Sequence, residues 1–590
     1  MNTNTPQPRT PAATRRHSSL IRTIAAVSML ATAISAAAQT RQSGRQVTAD
    51  RPFETVWVID REMPDFEVWQ TLVHATSSDA FQPVVLHGGE DPRWTASLEH
   101  LLWLLPQGET VWVSEAETIF DVDEWMTPAD VAGLDPSLGP MVYSADTSFD
   151  PIAALIAMRL DGVLTAEMPA TGGPAVFVGI EGPRIRDERA DVFLPTRADA
   201  VAYANQLAGR TVVMVVPSGE VLPEYILWAF QRDAKILEVV VPPYDIYDVW
   251  SEALAVDSVS RQIHTDLPEL LAGDPPEALV IAGNWYEIPF RFPYGLGSAN
   301  GAPPAAGTPF QCNTCDNGVY EYAADLVYAN LDEDPSNVPD VPVGRLMSPY
   351  RDLLAIQTVI GIWRGYGAFA EPTDGVFLGL LGTSEPDHRR VMFNAWRDAF
   401  PGRFWSAIGP EAFDMSYHLD RDAFFRVADR AEIVVAHGHG HPDYLSPNGS
   451  PFNKAVSGKY LRERTGTGVP SFWFLHACGT GKPDKDDHVA YDTLLVGLQS
   501  RLAFGSLMAV ENVAGGSSDP YWWIDSVEPG LAVGELVRRF AAAGAVAYRD
   551  GGAVAPGLPA TTGSSENKRA NGLGALSWIG DPLTPMANRN

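Results

Sequence analysis

Short apolar runs alternate with amphipathic stretches along most of the chain, and that alternation predicts layered α/β structure. Between about 50 and 205 the runs at 56–59, 84–86, 111–113 and 175–180 read as strands, and 98–105 and 151–160 as helices. A second series opens with a strand at 211–216, passes through a helical 225–234 and a strand at 236–241, and reaches another at 278–282. After a Gly/Pro/Ala-rich loop over 295–318, a third series begins at 375–381. It continues with helices over 389–399 and 421–430, strands at 433–436 and 471–475 with a helix around 453–464 between them, and a strand at 507–510. No internal repeat is visible.

The first 38 residues depart from this pattern. They contain no acid, carry Arg9, Arg15, Arg16 and Arg22 early, and then run apolar from Ile24 to Ala38. That is the layout of a signal peptide, with Ala36, Ala37 and Ala38 as its small-residue cleavage site. Arg15 and Arg16 resemble a twin-arginine signal, but His17, Ser18 and Ser19 follow where apolar residues are preferred, so ordinary secretion is expected. The apolar stretch is short and rich in Ala, Thr and Ser, and no other run is long enough to span a bilayer. The expected product is exported, with no membrane span after signal cleavage: secreted, periplasmic or held at the cell surface.

Composition narrows the function classes. The 590 residues carry 42 Lys and Arg against 73 Asp and Glu, a formal net charge of −31. Phosphate backbones and anionic lipid are held by clusters of basic side chains, so neither a nucleic acid nor an anionic membrane surface is an expected partner. Hydrophobic residues at 45% supply sizeable cores. The region 39–207 shows few paired polar groups that suggest chemistry and reads as a scaffold or prodomain.

There are three cysteines, Cys312, Cys315 and Cys478. Cys312 and Cys315, closely spaced in a loop of an exported chain, are expected to be disulfide-bonded to each other, which leaves Cys478 as the free thiol. Zinc at the pair would need two further ligands that no second pair offers. Cys478 has distinctive company. A strand over 433–436 runs into His437-Gly438-His439-Gly440-His441, and a strand over 471–475 runs into His476-Ala477-Cys478-Gly479. A βαβ reading makes these two strands parallel neighbours, so both motifs share the carboxyl edge where open α/β sheets bind ligands. A thiol needs a neighbouring imidazole to become thiolate at neutral pH, and glycines let backbone N–H groups approach a developing oxyanion.

These residues resemble the gingipain-like cysteine peptidases, which share a caspase-like fold. The resemblance covers roughly 208–585. Its pieces are the opening Gly-Arg-Thr-Val-Val-Met-Val-Val (209–216), Ala-Leu-Val-Ile-Ala-Gly-Asn-Trp-Tyr-Glu-Ile-Pro (278–289) and Ala-Asp-Leu-Val-Tyr-Ala-Asn-Leu-Asp (324–332). Then come Val-Pro-Asp-Val-Pro-Val-Gly-Arg-Leu (338–346), Gly-His-Gly (438–440), His-Ala-Cys (476–478) and Gly-Asp-Pro-Leu (580–583). The order of these pieces along the chain is specific. The resemblance implies a caspase-like layered α/β sheet with helices on both faces, preceded by a separate N-terminal α/β domain. Residues 208–365 would form the first half of the peptidase region and 366–590 the catalytic half. It implies His439 as the base, Cys478 as the nucleophile, and the N–H groups of Gly440 and Cys478 as the oxyanion site. It nominates Glu385 as the acid that orients the histidine, and Asp387 with Trp522 and Trp523 as the pocket for a basic side chain of a protein or peptide substrate. His441 departs from the family, whose members often have Ser there.

The expected activity is therefore that of an exported cysteine endopeptidase with no required cofactor. Asp332, Glu333, Asp334 and Asp340 offer carboxylates to a structural Ca²⁺, although their spacing matches no known loop. One alternative is a metal-dependent hydrolase, since His437, His439 and His441 alternate and alternate residues of an extended chain face one way. Another is a catalytically inactive secreted binding or assembly protein of the same fold.

Overall fold

The computed structural model describes residues 55–293, 321–365, 376–380, 404–406, 425–446, 456–481, 492–509, 530–539 and 576–585, with gaps at 78–82, 90, 106–108, 117–121, 135–138, 169–174, 182–190, 220, 247, 332–338, 427 and 478. The expected signal peptide lies outside the described residues. So do Cys312 and Cys315, the helix expected at 389–399, and half of the one expected at 421–430.

The N-terminal part contains two small parallel sheets. Thr55–Asp60 (β1), Val84–His87 (β2), Glu109–Val113 (β3) and Glu124–Met126 (β4) pair in the order β2-β1-β3-β4. Met141–Ser144 (β5), Val163–Thr165 (β6), Ala175–Val178 (β7) and Val192–Leu194 (β8) pair in the order β6-β5-β7-β8.

The rest is organised on one ten-stranded sheet. Its strands in chain order are Val212–Pro217 (β9), Lys235–Val239 (β10), Ala278–Ala282 (β11), Val343–Leu346 (β14), Val376–Leu380 (β15), Phe404–Ser406 (β16), Ile433–His437 (β17), Ser471–His476 (β21), Ala503–Ala509 (β22) and Leu576–Gly580 (β23). Arg291–Pro293 (β12) and Glu321–Ala323 (β13) form a separate antiparallel pair. The ten strands of the main sheet lie in the spatial order β10-β9-β11-β14-β23-β22-β21-β17-β15-β16. All neighbours are parallel except β22 and β23. The sheet is thus two five-stranded parallel blocks laid head to tail, and their carboxyl ends lie at opposite edges.

Strands buried on both faces read as continuous apolar runs, and the period of two divides their side chains between two cores. Val212, Met214 and Val216 join one core while Val213 and Val215 join the other. Phe472 and Phe474 likewise part from Trp473 and Leu475. Helices Pro223–Gln231 and Arg351–Gly365 cover the first face; Val249–Leu270, Gly458–Arg462 and Leu494–Gln499 cover the second. This is the expected α/β architecture with helices on both faces.

The stretch after β17 differs from its reading as a strand end and loop. His439–His441 (β18), Tyr444–Ser446 (β19) and Val456–Ser457 (β20) form a small antiparallel ribbon of their own. The apolar signal that marks a core strand is missing there, because the ribbon packs beside the main sheet and not within it.

Candidate active site

Three adjacent strands of the sheet end in register. Leu380, the last residue of β15, sits opposite His437, the last of β17, and His437 sits opposite His476, the last of β21. Neighbouring strands lie about 4.8 Å apart, so the three chain exits fall within about 10 Å at one carboxyl edge. The segment leaving β15 carries Glu385 and Asp387, the segment leaving β17 carries His439 and Gly440, and the segment leaving β21 carries Cys478. The histidine segment is the middle one.

Local chemistry shapes the two exits. Beyond β17 the chain bends at Gly438 and re-forms as β18, with His439 opposite Ser446 and Gly440 opposite Leu445. The ribbon's turn is pinned by two backbone bonds: Leu494 N–H donates to the Pro442 carbonyl (2.7 Å) and Gly458 N–H to that of Asp443 (2.9 Å). Gly458 is required by closeness, since a Cβ there would lie 2.1 Å from the carbonyl oxygens of Asp492 and Thr493. Ser457 and Thr493 cap the two short helices that begin at these points.

Beyond β21, Ala477 N–H folds back to the Leu475 carbonyl (2.9 Å) and the buried Thr480 hydroxyl reaches the Ala477 carbonyl (3.5 Å). Gly479 has φ +61°, the left-handed region that other residues enter at a cost. Gly438, Gly440 and Gly479 are all half-buried, leaving backbone within reach of a ligand at this edge.

His441 is committed locally. Its ring stacks on Tyr444 (centroids 4.9 Å apart, 16° between planes), and its Nδ1 accepts the Asp443 N–H at 3.3 Å. The bend at Gly438 separates His437 from β18, so the three histidines do not lie on one continuous extended strand. Among the described residues no group of three or more His, Cys, Asp or Glu is arranged to hold a metal ion.

Backbone placement brings His439, Gly440 and the approach to Cys478 to one edge. Cys478 itself, Glu385, Asp387, Trp522 and Trp523 lie outside the described residues, as do Asp332, Glu333 and Asp334. Asp340 is exposed. No helix among the described residues is long and apolar enough to cross a membrane.

Sequence reading missed a second group of charged side chains. Arg61 lies 2.9 Å from both Glu224 and Asp352, and His87 Nδ1 lies 3.3 Å from Asp352, with all four side chains at most 5% exposed. Gly88 N–H also donates to Asp352 (2.7 Å). Burial holds the His87 imidazole below its ordinary pKa, with Asp352 and Asp60 pulling up and Arg61 pulling down. A signal was present: Val84-Val85-Leu86-His87-Gly88 repeats the pattern of an apolar strand ending in His-Gly.

No family model matches the chain, and no curated protein sequence matches it. A solved structure described as that of a protease is similar with a TM-score of 0.42 and 13% sequence identity, over 64% of this chain and 79% of the other. A likeness that distant carries no argument about chemistry.

Proposed function

We propose that the chain is a cysteine-type endopeptidase in which Cys478 attacks the peptide carbonyl and His439 moves the proton. The observation that carries this reading is the register of Leu380, His437 and His476, which lets an acid-bearing, a histidine-bearing and a cysteine-bearing segment leave three adjacent strand ends in that order. An acid beside a histidine fixes its tautomer and stabilises the imidazolium, and the histidine beside a thiol makes the thiolate. That the histidine segment leaves the middle strand supports its serving both.

In the reaction, the thiolate adds to the carbonyl carbon and the oxyanion takes hydrogen bonds from the N–H groups of Gly440 and Cys478. His439, carrying the thiol proton, gives it to the leaving amine; water then attacks the thioester with His439 as base and releases the acid product. Glu385 orients His439. On this reading Asp387, with Trp522 and Trp523 to stack on a guanidinium, favours Arg or Lys on the acyl side of the cut bond. The enzyme needs no cofactor, and its substrates are proteins or peptides met after export.

An alkylating peptide probe followed by peptide mapping tests the reading. Cys478 should be labelled, Cys478→Ala should abolish cleavage of a peptide library, and the profile should be enriched in Arg and Lys and lose that enrichment in Asp387→Ala. His439→Ala should cost orders of magnitude in rate and His437→Ala much less. Wild-type cleavage by Cys478→Ala, or activity lost to a chelator and untouched by the alkylator, would refute the thiol mechanism.

A further inference from the structure

We infer that residues 55–207 are a permanent layer of the folded enzyme and not a segment that leaves on activation; the link to activation rests on the peptidase reading above. All nine residues of helix Pro223–Gln231 are buried, as are Asp352 through Trp363 in helix Arg351–Gly365. A helix apolar on all sides needs cover on two. The ten-stranded sheet covers the inner side. The outer side is covered by the N-terminal part, where helix Asp150–Leu160 packs on the first of these helices and helix Pro92–Leu104 with β2 packs on the second. One hydrophobic cluster runs through all of them, from Val56 to Trp578.

Polar contacts close the same boundary. The buried Arg61 and His87 come from the N-terminal part and their partners Glu224 and Asp352 from the other side, both with 0% side-chain exposure. Separation would break all three of these buried contacts. At the sheet's edge strand β10, the Asn205 side chain imitates a neighbouring backbone, accepting the Ile236 N–H and donating to the Ile236 carbonyl, each at 2.7 Å. Arg159 reaches the Ala204 carbonyl at 2.6 Å and also the Ala234 carbonyl beyond it.

The layer is also placed on the side away from the candidate site. Its bonds to the β21–β22 block include, among the described residues, Ser97 Oγ to the Ser500 carbonyl (2.7 Å) and His100 Nε2 to the Gly468 carbonyl (2.7 Å). Gly468 precedes β21 and Ser500 precedes β22, so these contacts lie at the amino ends of those strands. His439 and Cys478 follow carboxyl ends, at the opposite edge. Substrate reaches that edge with the layer in place.

The test is to insert a recognition sequence for a specific protease after the exposed Gly209 in the full chain, cut it, and run native gel filtration. The two pieces should co-elute at the mass of the uncut chain, and the alkylating probe should label Cys478 equally before and after cutting. Elution of the 210–590 piece alone, or labelling that rises severalfold on cutting, would overturn the inference. Hydrogen exchange on the unaltered chain gives a second reading. Amides of β1 and of helix Pro223–Gln231 should open together at the same denaturant concentration, and earlier opening of β1 would overturn it. If Cys478 is labelled in neither form, the peptidase reading fails, while co-elution still decides whether the layer is permanent.

Discussion

Gly479 follows the proposed nucleophile directly and holds φ +61°, with no atom of the described residues within 4 Å of where a Cβ would stand. Among the described residues a side chain there meets no clash, so the conformational penalty gives an ordered series. Left-handed backbone costs an ordinary residue about 1–2 kcal/mol, and Asn tolerates it best. Activity should fall in the order Gly, Asn, Ala, Val, with Gly479→Ala losing roughly tenfold in kcat at little change in KM, and Asn recovering part of it. Equal losses across the series, or a loss in KM alone, would remove Gly479 from the positioning of the thiol. His441 supplies the contrast. It is exposed, stacked on Tyr444 and engaged by the Asp443 N–H, so His441→Ala should leave cleavage within a few fold and stability within about 0.5 kcal/mol.

Three stretches quoted for the family resemblance meet at one side chain. Arg345 on β14 is fully buried and pairs with Asp325 (2.6 Å), which also accepts the Ser577 hydroxyl (2.6 Å) from β23. Its remaining donors reach the carbonyls of Gly283 (3.2 Å), Ile288 (2.9 Å) and Pro289 (2.9 Å). Burial works against the charged guanidinium, but Asp325 outweighs it and holds the pKa above its ordinary value. Removing one partner of such a pair strands the other, so Arg345→Ala should cost about 3–5 kcal/mol in urea unfolding. Combined with Asp325→Ala it should cost clearly less than the sum of the singles. Strict additivity would show that the two do not form one unit. This element also shows what the sequence made legible. Strands such as 278–282 and 433–436 were readable because both of their faces are apolar. Helix Arg351–Gly365 was not, since a helix buried all round has no polar face to mark its period. The ribbon β18–β20 was hidden by its polar, glycine-rich sequence. Arg345 was visible only as part of a motif, because the carbonyls that it serves are distant in the chain.

At the scale of the whole molecule, the boundary between the N-terminal layer and the ten-stranded sheet holds a buried imidazole, that of His87. His87 faces Asp60 and Arg61 from its own layer and Asp352 from helix Arg351–Gly365, while Glu224, with Arg351 nearby, completes the cluster through Arg61. Its imidazole is held below the ordinary value of 6.5, chiefly by burial. The unfolded chain therefore takes up this proton at a higher pH than the folded one. The stability that depends on neutral His87 is fully present above pH 6.5 and is lost as pH falls through that value toward the lower folded one. His74, also lowered by burial, acts in the same direction, whereas Asp150 and Glu252, raised by burial, act in the opposite one. The absolute slope thus mixes several groups, and a variant isolates one. His87→Gln cannot titrate. Between pH 7.5 and 5 the wild-type unfolding free energy should fall more steeply than that of His87→Gln, by up to about 1.4 kcal/mol per pH unit. Parallel pH profiles for the two proteins would show that His87 carries the same proton affinity folded and unfolded, and that its burial at this boundary has no hold on stability.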